Sequence, residues 1–352
     1  MRKFSIKVLL FSIPFIILVI NHHFFQISGG DLNRLGFVSI ENNYREIFTN
    51  YGTSSKTVKD LGEINSNSNT PIDLLTFGDS FSDLGQQGYQ SFLINDHHLN
   101  VVNINIVRYK VVNQIELLLE LVNGDFFNHF NVKYVLLQCV ERNIVIKGQL
   151  TDTNKVMNWA AFEKLYSVKN KLNSENKFKG NIIKYSLNSI LYRFDDNAFN
   201  SQCYKVTLTK KLFSTKNNEL LFFKDDYENL KYNEKAKVVI LNNTLNNIAD
   251  KLRNKGIQLI VLPSPDKYDL YSDFIVNNKM PKNVFFDLME QVPKNYSYID
   301  SKSLFMKYID QGKKDIYFAD DTHWSPFGAK IVADKINDVI NELKRSAGNS
   351  GE

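Results

Sequence analysis

Short apolar runs alternate along the chain with longer segments whose apolar residues recur every three to four positions. The apolar runs predict strands at residues 73–78, 99–107, 132–139, 257–262 and 297–300. The longer segments predict helices at residues 82–95, 111–121, 234–255, 284–291 and 326–344. Continuously apolar strands are typical of a parallel sheet with helices on both faces. The pattern therefore predicts a three-layer α/β/α fold with a mostly parallel sheet.

The middle of the chain interrupts this alternation. Residues from about 145 to 232 are polar and rich in Asn and Lys, and two β-prone runs at residues 204–212 and 219–223 predict an inserted hairpin. We therefore divide the chain into a segment at 1–30, a linker or N-terminal extension at 31–72 with a polar loop near its end, a main domain at 73–346 with the insertion, and a fraying tail at 347–352.

The N-terminus has the pattern of a targeting segment. Basic residues precede an uncharged apolar run at residues 8–20. If the run extends to Ile27, it approaches the roughly 20 residues that a bilayer-spanning helix requires. The small residues Ser28, Gly29 and Gly30 are compatible with a cleavage site instead. A signal anchor and a signal peptide both stay open, with the anchor preferred. Either predicts an extracytoplasmic protein, in the periplasm or at the cell surface.

Composition excludes several other classes of function. With 43% hydrophobic and 23% charged residues, the 352-residue chain is globular. The net charge of +5 is mild, and no basic run with interleaved aromatic residues indicates nucleic-acid binding. Cys139 and Cys203 have no metal or redox spacing, and we expect Cys139 to be a buried, unreactive thiol, although a disulfide stays open. The loop containing His97 and His98 lacks a third ligand, so no metal or cofactor is predicted.

A serine follows the first predicted strand, in the sequence Gly78-Asp79-Ser80. In parallel α/β sheets, ligands bind beyond the carboxyl ends of the strands, where this serine lies. Ser80 can act as a nucleophile there, with its own N–H and the first helical amides stabilising an oxyanion. A serine in such a turn is also often a helix N-cap, and this interpretation stays open.

A histidine precedes the last predicted helix at the same edge of the sheet. His323 follows two carboxylates, Asp320 and Asp321, and either can orient the imidazole. Together with Ser80, these residues supply the hydroxyl, imidazole and acid of a nucleophilic hydrolase or acyltransferase.

Further polar side chains follow other strands at this edge. Glu141 and Arg142 follow the third strand, and Lys267 and Tyr268 follow the fourth. The simplest interpretation of these charged residues is that they form salt bridges on the protein surface. Their location favours a role in binding substrate or shaping the site, together with Asp79.

These motifs resemble the SGNH (GDSL-type) hydrolase superfamily, through Gly78-Asp79-Ser80 and the C-terminal Asp-His pair. Three blocks make the chain similar to the SGNH-like acetyltransferases of the alginate O-acetylation type: Asp321-Thr322-His323-Trp324, Val140-Glu141-Arg142 and Pro265-Asp266-Lys267-Tyr268. The resemblance spans about residues 73–340. It implies an extracytoplasmic enzyme that moves acetyl groups onto an exported polysaccharide.

The resemblance also implies roles and partners. Ser80 would be the nucleophile, His323 the base and Asp321 the orienting acid. The partners would be a polysaccharide acceptor and a membrane-bound protein that delivers the acyl group, with the chain attached to the inner membrane by its N-terminal segment.

The chain departs from this family in two respects. The serine block comes first, as in ordinary SGNH hydrolases and in the membrane-anchored protein of teichoic-acid D-alanylation. The regions at 103–109 and 138–143, where SGNH hydrolases place Gly and Asn as oxyanion donors, contain no glycine. We therefore expect an O-acyltransferase with a serine acyl-enzyme. A carbohydrate acetylesterase of the same fold and a catalytically degenerate polysaccharide-assembly or binding protein are the alternatives.

Overall fold

The computed structural model describes residues 2–24, 29–38, 43–49, 51, 56, 58–63, 71–106, 111–167 and 182–349. The predicted loop at 65–70, the predicted end of the second strand at 107, the middle of the insertion at 168–181 and the last three residues lie outside the described part.

The described elements are listed here in chain order. The strands are β1 (Lys59–Asp60), β2 (Ile72–Gly78), β3 (Val101–Asn105), β4 (Val132–Val140), β5 (Cys203–Thr207), β6 (Glu219–Phe223), β7 (Gln258–Ser264) and β8 (Ser297–Tyr298). The α-helices are α1 (Arg2–Phe24), α2 (Asp31–Gly36), α3 (Tyr89–Asn95), α4 (Gln114–Asn123), α5 (Glu141–Gln149), α6 (Trp159–Ser167), α7 (Ile182–Leu191), α8 (Lys224–Glu228), α9 (Lys235–Arg253), α10 (Lys267–Tyr271), α11 (Phe285–Glu290), α12 (Ser301–Asp310) and α13 (Pro326–Asn349). Short 3-10 helices include Tyr44–Phe48, Ser80–Ser82 and Gly85–Gln87.

Six of these strands form one sheet in the order β1-β3-β2-β4-β7-β8. All of its pairings are parallel. The chain passes from β2 to β3 on one side and then crosses to β4 on the other, so the strand order reverses at β2. Ligands of open α/β sheets bind beyond the carboxyl ends of the strands at such a reversal. Ser80 lies there, two residues after the end of β2.

Successive side chains of the central strands enter two separate cores. In β4, Leu136 packs in the core that contains residues of α3, α12 and α13, whereas Val135 and Leu137 pack in the core formed with α4, α5, α9 and α11. Because both faces of the sheet are covered, both sets of strand positions must be apolar. The α/β fold with a mostly parallel sheet is confirmed.

The predicted hairpin is present as the antiparallel pair β5 and β6. A third, smaller core joins it to the N-terminal extension, since Leu32 of α2 packs with Cys203 and Leu221. The side-chain amide of Asn188 also donates a hydrogen bond of 2.7 Å to the carbonyl of Gly36. The described part of the N-terminal extension is therefore fastened to the insertion.

Both cysteines are free and buried, and they belong to different cores, so the disulfide that the sequence left open is absent. Burial raises the pKa of the Cys139 thiol to about 12, as expected for an unreactive thiol.

Several boundaries differ from the prediction. The helix expected at 82–95 begins at Tyr89, because the chain first makes two 3-10 turns and Gly85 adopts a positive φ of 56° that an α-helix does not accommodate. The last helix continues to Asn349, whereas it was predicted to end at residue 344, with a fraying tail from 347. The helices that were not predicted are α2, α5, α6, α7, α8, α10 and α12.

Helix α1 is 23 residues long and contains Pro14. Among the described residues, no helix meets the length and apolar content required to cross a membrane. The N-terminal signal segment stays a prediction.

The turn after β2 is tight and is held by side chains. A Cβ atom at Gly78 would overlap the side chain of Ser82 and lie 2.7 Å from Gln138 Oε1. Asp79 accepts hydrogen bonds from the N–H groups of Phe81 (3.1 Å) and Val140 (2.7 Å), which ties the turn to the end of β4. Glycine is therefore required where the strand ends, and Asp79 fixes the direction in which Ser80 points.

We predict that Gly78→Ala lowers the free energy of unfolding by roughly 1–3 kcal/mol, because the added methyl group must displace Ser82 or Gln138. Urea denaturation of the two proteins measures this change. Gly348→Ala is the matched control, since a Cβ there meets no atom within 4 Å and alanine is favoured over glycine in a helix. Equal stability of Gly78→Ala and the unsubstituted protein would show that the turn is not tight.

Candidate active site

Ser80, His323 and Asp321 are joined by two hydrogen bonds. Ser80 Oγ lies 2.7 Å from His323 Nε2, and His323 Nδ1 lies 2.6 Å from Asp321 Oδ1. Ser80 is exposed, whereas the side chains of His323 and Asp321 are only 15% and 14% exposed. The arrangement places an accessible hydroxyl against an imidazole that a carboxylate orients, which is the geometry that activates a serine nucleophile.

The acid that contacts the imidazole is Asp321. Asp320 is fully buried, and both of its oxygens accept hydrogen bonds from Arg45, at 2.8 and 3.1 Å. The sequence left open which of the two carboxylates orients the imidazole. The hydrogen bond to His323 favours Asp321.

The protonation of the pair follows from its surroundings. Burial tends to raise the pKa of Asp321, but the hydrogen bond and charge of His323 and the charge of Arg45 outweigh it and hold that pKa well below its usual range. Burial tends to lower the pKa of His323, but the hydrogen bond and charge of Asp321 outweigh it and raise that pKa above 6.5. Asp321 is therefore ionised and can stabilise an imidazolium.

An aromatic contact holds the two motifs together. The ring of Phe81, next to the serine, lies 4.7 Å from the imidazole of His323 and 4.8 Å from the ring of Trp324, measured between centroids. Phe81 and Trp324 are both fully buried. Packing of these rings therefore keeps the hydroxyl and the imidazole in register.

Residues 318–323 form the loop that carries the acid and the histidine, here called the Asp-His loop. An antiparallel bridge between Tyr317 and Trp324 closes it. Lys267 lies behind it, 1% exposed, and its ammonium donates to the carbonyls of Phe318 (2.8 Å), Ala319 (3.2 Å) and Asp321 (3.1 Å). All three N–H groups of Lys267 thus bind one loop, and burial lowers the pKa of Lys267 to about 8.

Glu141 and Arg142 belong to a buried ionic cluster. Arg142 donates to Asp226 (3.0 Å) and Asp266 (2.6 Å), and Glu141 accepts from the N–H of Asp266 (3.0 Å) and from the side-chain amide of Asn283. Burial raises the pKa of Glu141 and Asp266 well above the usual range. The cluster therefore joins the carboxyl ends of β4 and β7.

These contacts show how each side chain of the predicted substrate-binding set is bound within the protein. Lys267 and Glu141 are enclosed by protein groups, and the hydroxyl of Tyr268 donates to the carbonyl of Pro281 at 2.8 Å. Arg142 is paired with two carboxylates, and Asp79 holds the serine turn. The structure places these side chains around and behind the site, because each is already bound by the protein.

The N-terminal extension adds residues that were not predicted. Asp31 accepts from the N–H (2.8 Å) and the hydroxyl (2.7 Å) of Thr322, and the hydroxyl of Tyr44 accepts from the N–H of Ala319 (2.9 Å). Arg45 binds the two carboxylates of the Asp-His loop. No motif or periodicity in residues 31–72 indicated these contacts, which depend on the folded chain alone.

A metal ion is a second possible use of these groups. Asp31, Asp321 and His323 present atoms within 4.8 Å of one another, a spacing that can hold a cation. Both oxygens of Asp31 already accept hydrogen bonds from Thr322, and Asp321 Oδ1 is bound by the imidazole. The donor set fits a hydrogen-bonded triad better than a metal site.

Oxyanion donors are sparse around Ser80. The side-chain amide of Gln138 donates to Ser264 (2.9 Å), and that of Asn103 donates to the carbonyl of Ser82 (3.3 Å). Within the described ranges, the N–H of Ser80 has no hydrogen-bond acceptor. A role of this N–H in stabilising an oxyanion stays a prediction.

An α/β domain with a serine after a central strand, joined by hydrogen bonds to an Asp-x-His before the last helix, is similar in arrangement to serine hydrolases. Residues 217–352 match the family model described as SGNH hydrolase-like domain, acetyltransferase AlgX. The match includes the Asp-His loop and begins after Ser80. It confirms the resemblance to the SGNH-like acetyltransferases. No curated protein and no solved structure matches the chain.

The lowered pKa of Lys267 makes a prediction about stability. In the unfolded chain this pKa is about 10.4, so between pH 8 and about 10.4 the unfolded state binds more protons at this residue than the folded state. Stability from Lys267 must therefore rise with pH across this window. We expect the unsubstituted protein to gain on the order of 2–3 kcal/mol relative to Lys267→Met between pH 8 and 10. Urea denaturation of both proteins across this range measures the gain.

Lys279→Met is the matched control, because Lys279 is exposed. It shows how the loss of a lysine outside the Asp-His loop affects stability over the same pH range. A stability difference for Lys267→Met that changes no more with pH than that of Lys279→Met would mean that the buried amine does not titrate in this window.

Proposed function

We propose that the protein is an O-acyltransferase, acting with acetyl groups, that modifies a hydroxyl of an exported polysaccharide through an acyl-enzyme on Ser80. The observation that carries the proposal is the chain of hydrogen bonds from Ser80 through His323 to Asp321. The match of residues 217–352 to an SGNH hydrolase-like acetyltransferase supports acyl transfer as its chemistry.

The proposed steps follow the hydrogen bonds of the triad. His323 Nε2 takes the Ser80 proton as Ser80 Oγ attacks the carbonyl carbon of the acyl donor, and the imidazolium then protonates the leaving group. In the second half-reaction, an acceptor hydroxyl gives its proton to His323 and attacks the acyl-enzyme, and Ser80 recovers a proton as it leaves. Asp321 stays ionised and stabilises the imidazolium in both halves.

A membrane-bound acyl donor and attachment through α1 belong to the same proposal. Apolar side chains of α1 are exposed, among them Phe11 (75%) and Val19 (67%). A Cβ at Gly30 would lie 2.6 Å from Asp320 Cγ, so Gly30 lies against the Asp-His loop. Six residues of chain from Phe24 to Gly30 span at most about 20 Å. A bilayer around α1 would therefore hold the triad near the membrane surface, outside the cytoplasm and within reach of such a donor.

Hydrolysis is a second candidate function. Ser80 is exposed, so water can reach an acyl group on its Oγ. A carbohydrate acetylesterase would use the same triad, with water in place of the acceptor hydroxyl. The third interpretation, a degenerate polysaccharide-assembly or binding protein, is motivated by the side-chain amides of Gln138 and Asn103, which are engaged elsewhere.

We predict that the full-length protein in mild detergent cleaves a chromogenic acetyl ester and that Ser80→Ala lowers the rate roughly a thousandfold or more, because the attacking oxygen is lost. Release of the chromophore measures the rate, and mass spectrometry of the protein detects the acyl group on Ser80. Ser346→Ala, at an exposed serine of α13, is the control and should keep full activity. Full turnover by Ser80→Ala would refute the acyl-enzyme.

Product analysis with and without a soluble glycan separates the candidates. Acetylated glycan supports the transferase, and release of acetate unaffected by the glycan supports the esterase. Glycan binding without any turnover, retained when Ser80 and His323 are both replaced by alanine, supports the binding protein.

The raised pKa of His323 predicts the acidic limit of activity. Below its pKa the imidazole is protonated and cannot accept the Ser80 proton, so kcat/KM must fall as the pH decreases through a value above 6.5. Asp321→Asn removes the charge that raises this pKa, so the limit should move to lower pH and the maximal rate should fall by roughly 10²–10⁴. Profiles of kcat/KM against pH measure both effects.

Asp310→Asn, at an exposed aspartate at the end of α12, serves as control for the loss of one negative charge. An acidic limit at the same pH in Asp321→Asn and the unsubstituted protein would contradict the assignment of Asp321 as the orienting acid.

A further inference from the structure

Arg45 contacts both carboxylates of the Asp-His loop from outside the main domain. It lies in the 3-10 helix Tyr44–Phe48 of the N-terminal extension. Its Nη2 lies 2.8 Å from Asp320 Oδ1 and 3.1 Å from Asp321 Oδ2, and its Nε lies 3.1 Å from Asp320 Oδ2. Its guanidinium also lies 3.9 Å from the centroid of the Phe318 ring. Four contacts thus fix the plane of this guanidinium.

The two oxygens of Asp321 have different partners. Oδ1 is bound to the Nδ1 of His323 and accepts from the backbone N–H of the same residue at 3.1 Å, and Oδ2 is bound to Arg45 and to the N–H of Asp31, which donates at 3.3 Å. A carboxylate held at one oxygen cannot rotate about its terminal bond without losing the bond at the other. The partners of Oδ2 therefore set the direction in which Oδ1 meets the imidazole.

The extension holds this loop at a second point. Asp31 binds the N–H and the hydroxyl of Thr322, which lies between the acid and the histidine. The extension is itself packed on the insertion through the third core, which includes Leu32 and Tyr192. The residues that bind the Asp-His loop are thus held in place by packing of the extension on the insertion.

We propose that Arg45 is a positioning residue of the active site and that it orients the carboxylate of Asp321 toward His323. The N-terminal extension is then a working part of the site and not a linker. This inference rests on the proposed function, because it assigns Arg45 a role in the same acyl transfer.

The planar fork of an arginine can bind two carboxylates at once, which a lysine ammonium cannot do with the same geometry. Arg45→Lys therefore keeps the positive charge but loses the fork. Any change in this variant reports on orientation and not on the loss of a nearby cation.

We expect Arg45→Lys in the full-length chain to lower kcat for the chromogenic acetyl ester roughly ten- to hundredfold, since small misplacements of catalytic groups cost about this much. KM should stay within about twofold, because Arg45 is engaged with the Asp-His loop. The pKa of His323 should fall, because a loosened Asp321 stabilises the imidazolium less. Titration of ¹³C-labelled histidines by NMR measures this pKa, with the resonance assigned through His323→Gln.

Arg34→Lys is the matched control. Arg34 lies in the same extension, is exposed and donates to the carbonyl of Gly29 at 3.0 Å. It should leave kcat and the pKa of His323 unchanged. Thermal unfolding of every variant shows whether the fold is kept, and Arg45→Gln, whose side-chain amide can still donate to a carboxylate, is used if Arg45→Lys does not fold. Arg45→Gln should likewise lower kcat and the pKa of His323. Loss of a positive charge alone would raise this pKa, so a fall reports on the orientation of Asp321.

The outcomes separate this inference from the proposed function. If Arg45→Lys retains the kcat of the unsubstituted protein, or lowers kcat without changing the pKa of His323, Arg45 does not orient Asp321. If the unsubstituted protein shows no turnover, the proposed function fails. The titration of His323 then still decides whether Arg45 orients the acid.

Discussion

The conformation of the Asp-His loop depends on two cationic side chains, one from the main domain and one from the N-terminal extension. Residues 318–323 form no helix or strand themselves, and the bridge between Tyr317 and Trp324 closes the loop. Lys267, at the start of α10, donates to three of its carbonyls, and Arg45, from the N-terminal extension, binds its two carboxylates. An unsatisfied buried carbonyl or carboxylate is costly, so these bonds define one conformation of the loop. The position of His323 follows from that conformation.

The sheet positions the turn that carries Ser80. Parallel pairing of β2 with β3 and β4 brings the ends of these strands to one edge, and the reversal of strand order leaves a crevice beyond β2. Asp79 then bonds to the N–H of Val140, so that the serine turn is fixed to the neighbouring strand. Because Phe81 packs on both His323 and Trp324, the two halves meet at one aromatic contact. The short distance from hydroxyl to imidazole results from these separate supports.

Features of the fold and site that depend on neighbouring residues in the sequence could be predicted, whereas those that depend on contacts between distant residues could not. Strands such as β2 and β4 could be predicted because burial on both faces leaves a local apolar record in the sequence. The Ser80 turn and the Asp-His block could be predicted because their chemistry is local. The roles of Asp31 and Arg45 could not, since nothing near them in the sequence reports a contact about 275 residues away. The choice between Asp320 and Asp321 likewise depended on the folded chain, in which Asp321 contacts His323 and Arg45 binds both oxygens of Asp320.

The blocks around Glu141 and Asp266 show why residue type and position at a sheet edge do not by themselves identify substrate contacts. Glu141, Asp226, Asp266 and Asp269 are buried together with two cations, Arg142 and Lys302. Four ionised carboxylates would exceed the two positive charges, and the raised pKa of Glu141 and Asp266 relieves this excess by keeping protons on the cluster. The same backbone segment continues directly into Lys267. A cluster that fixes Asp266 therefore also fixes the lysine that holds the Asp-His loop.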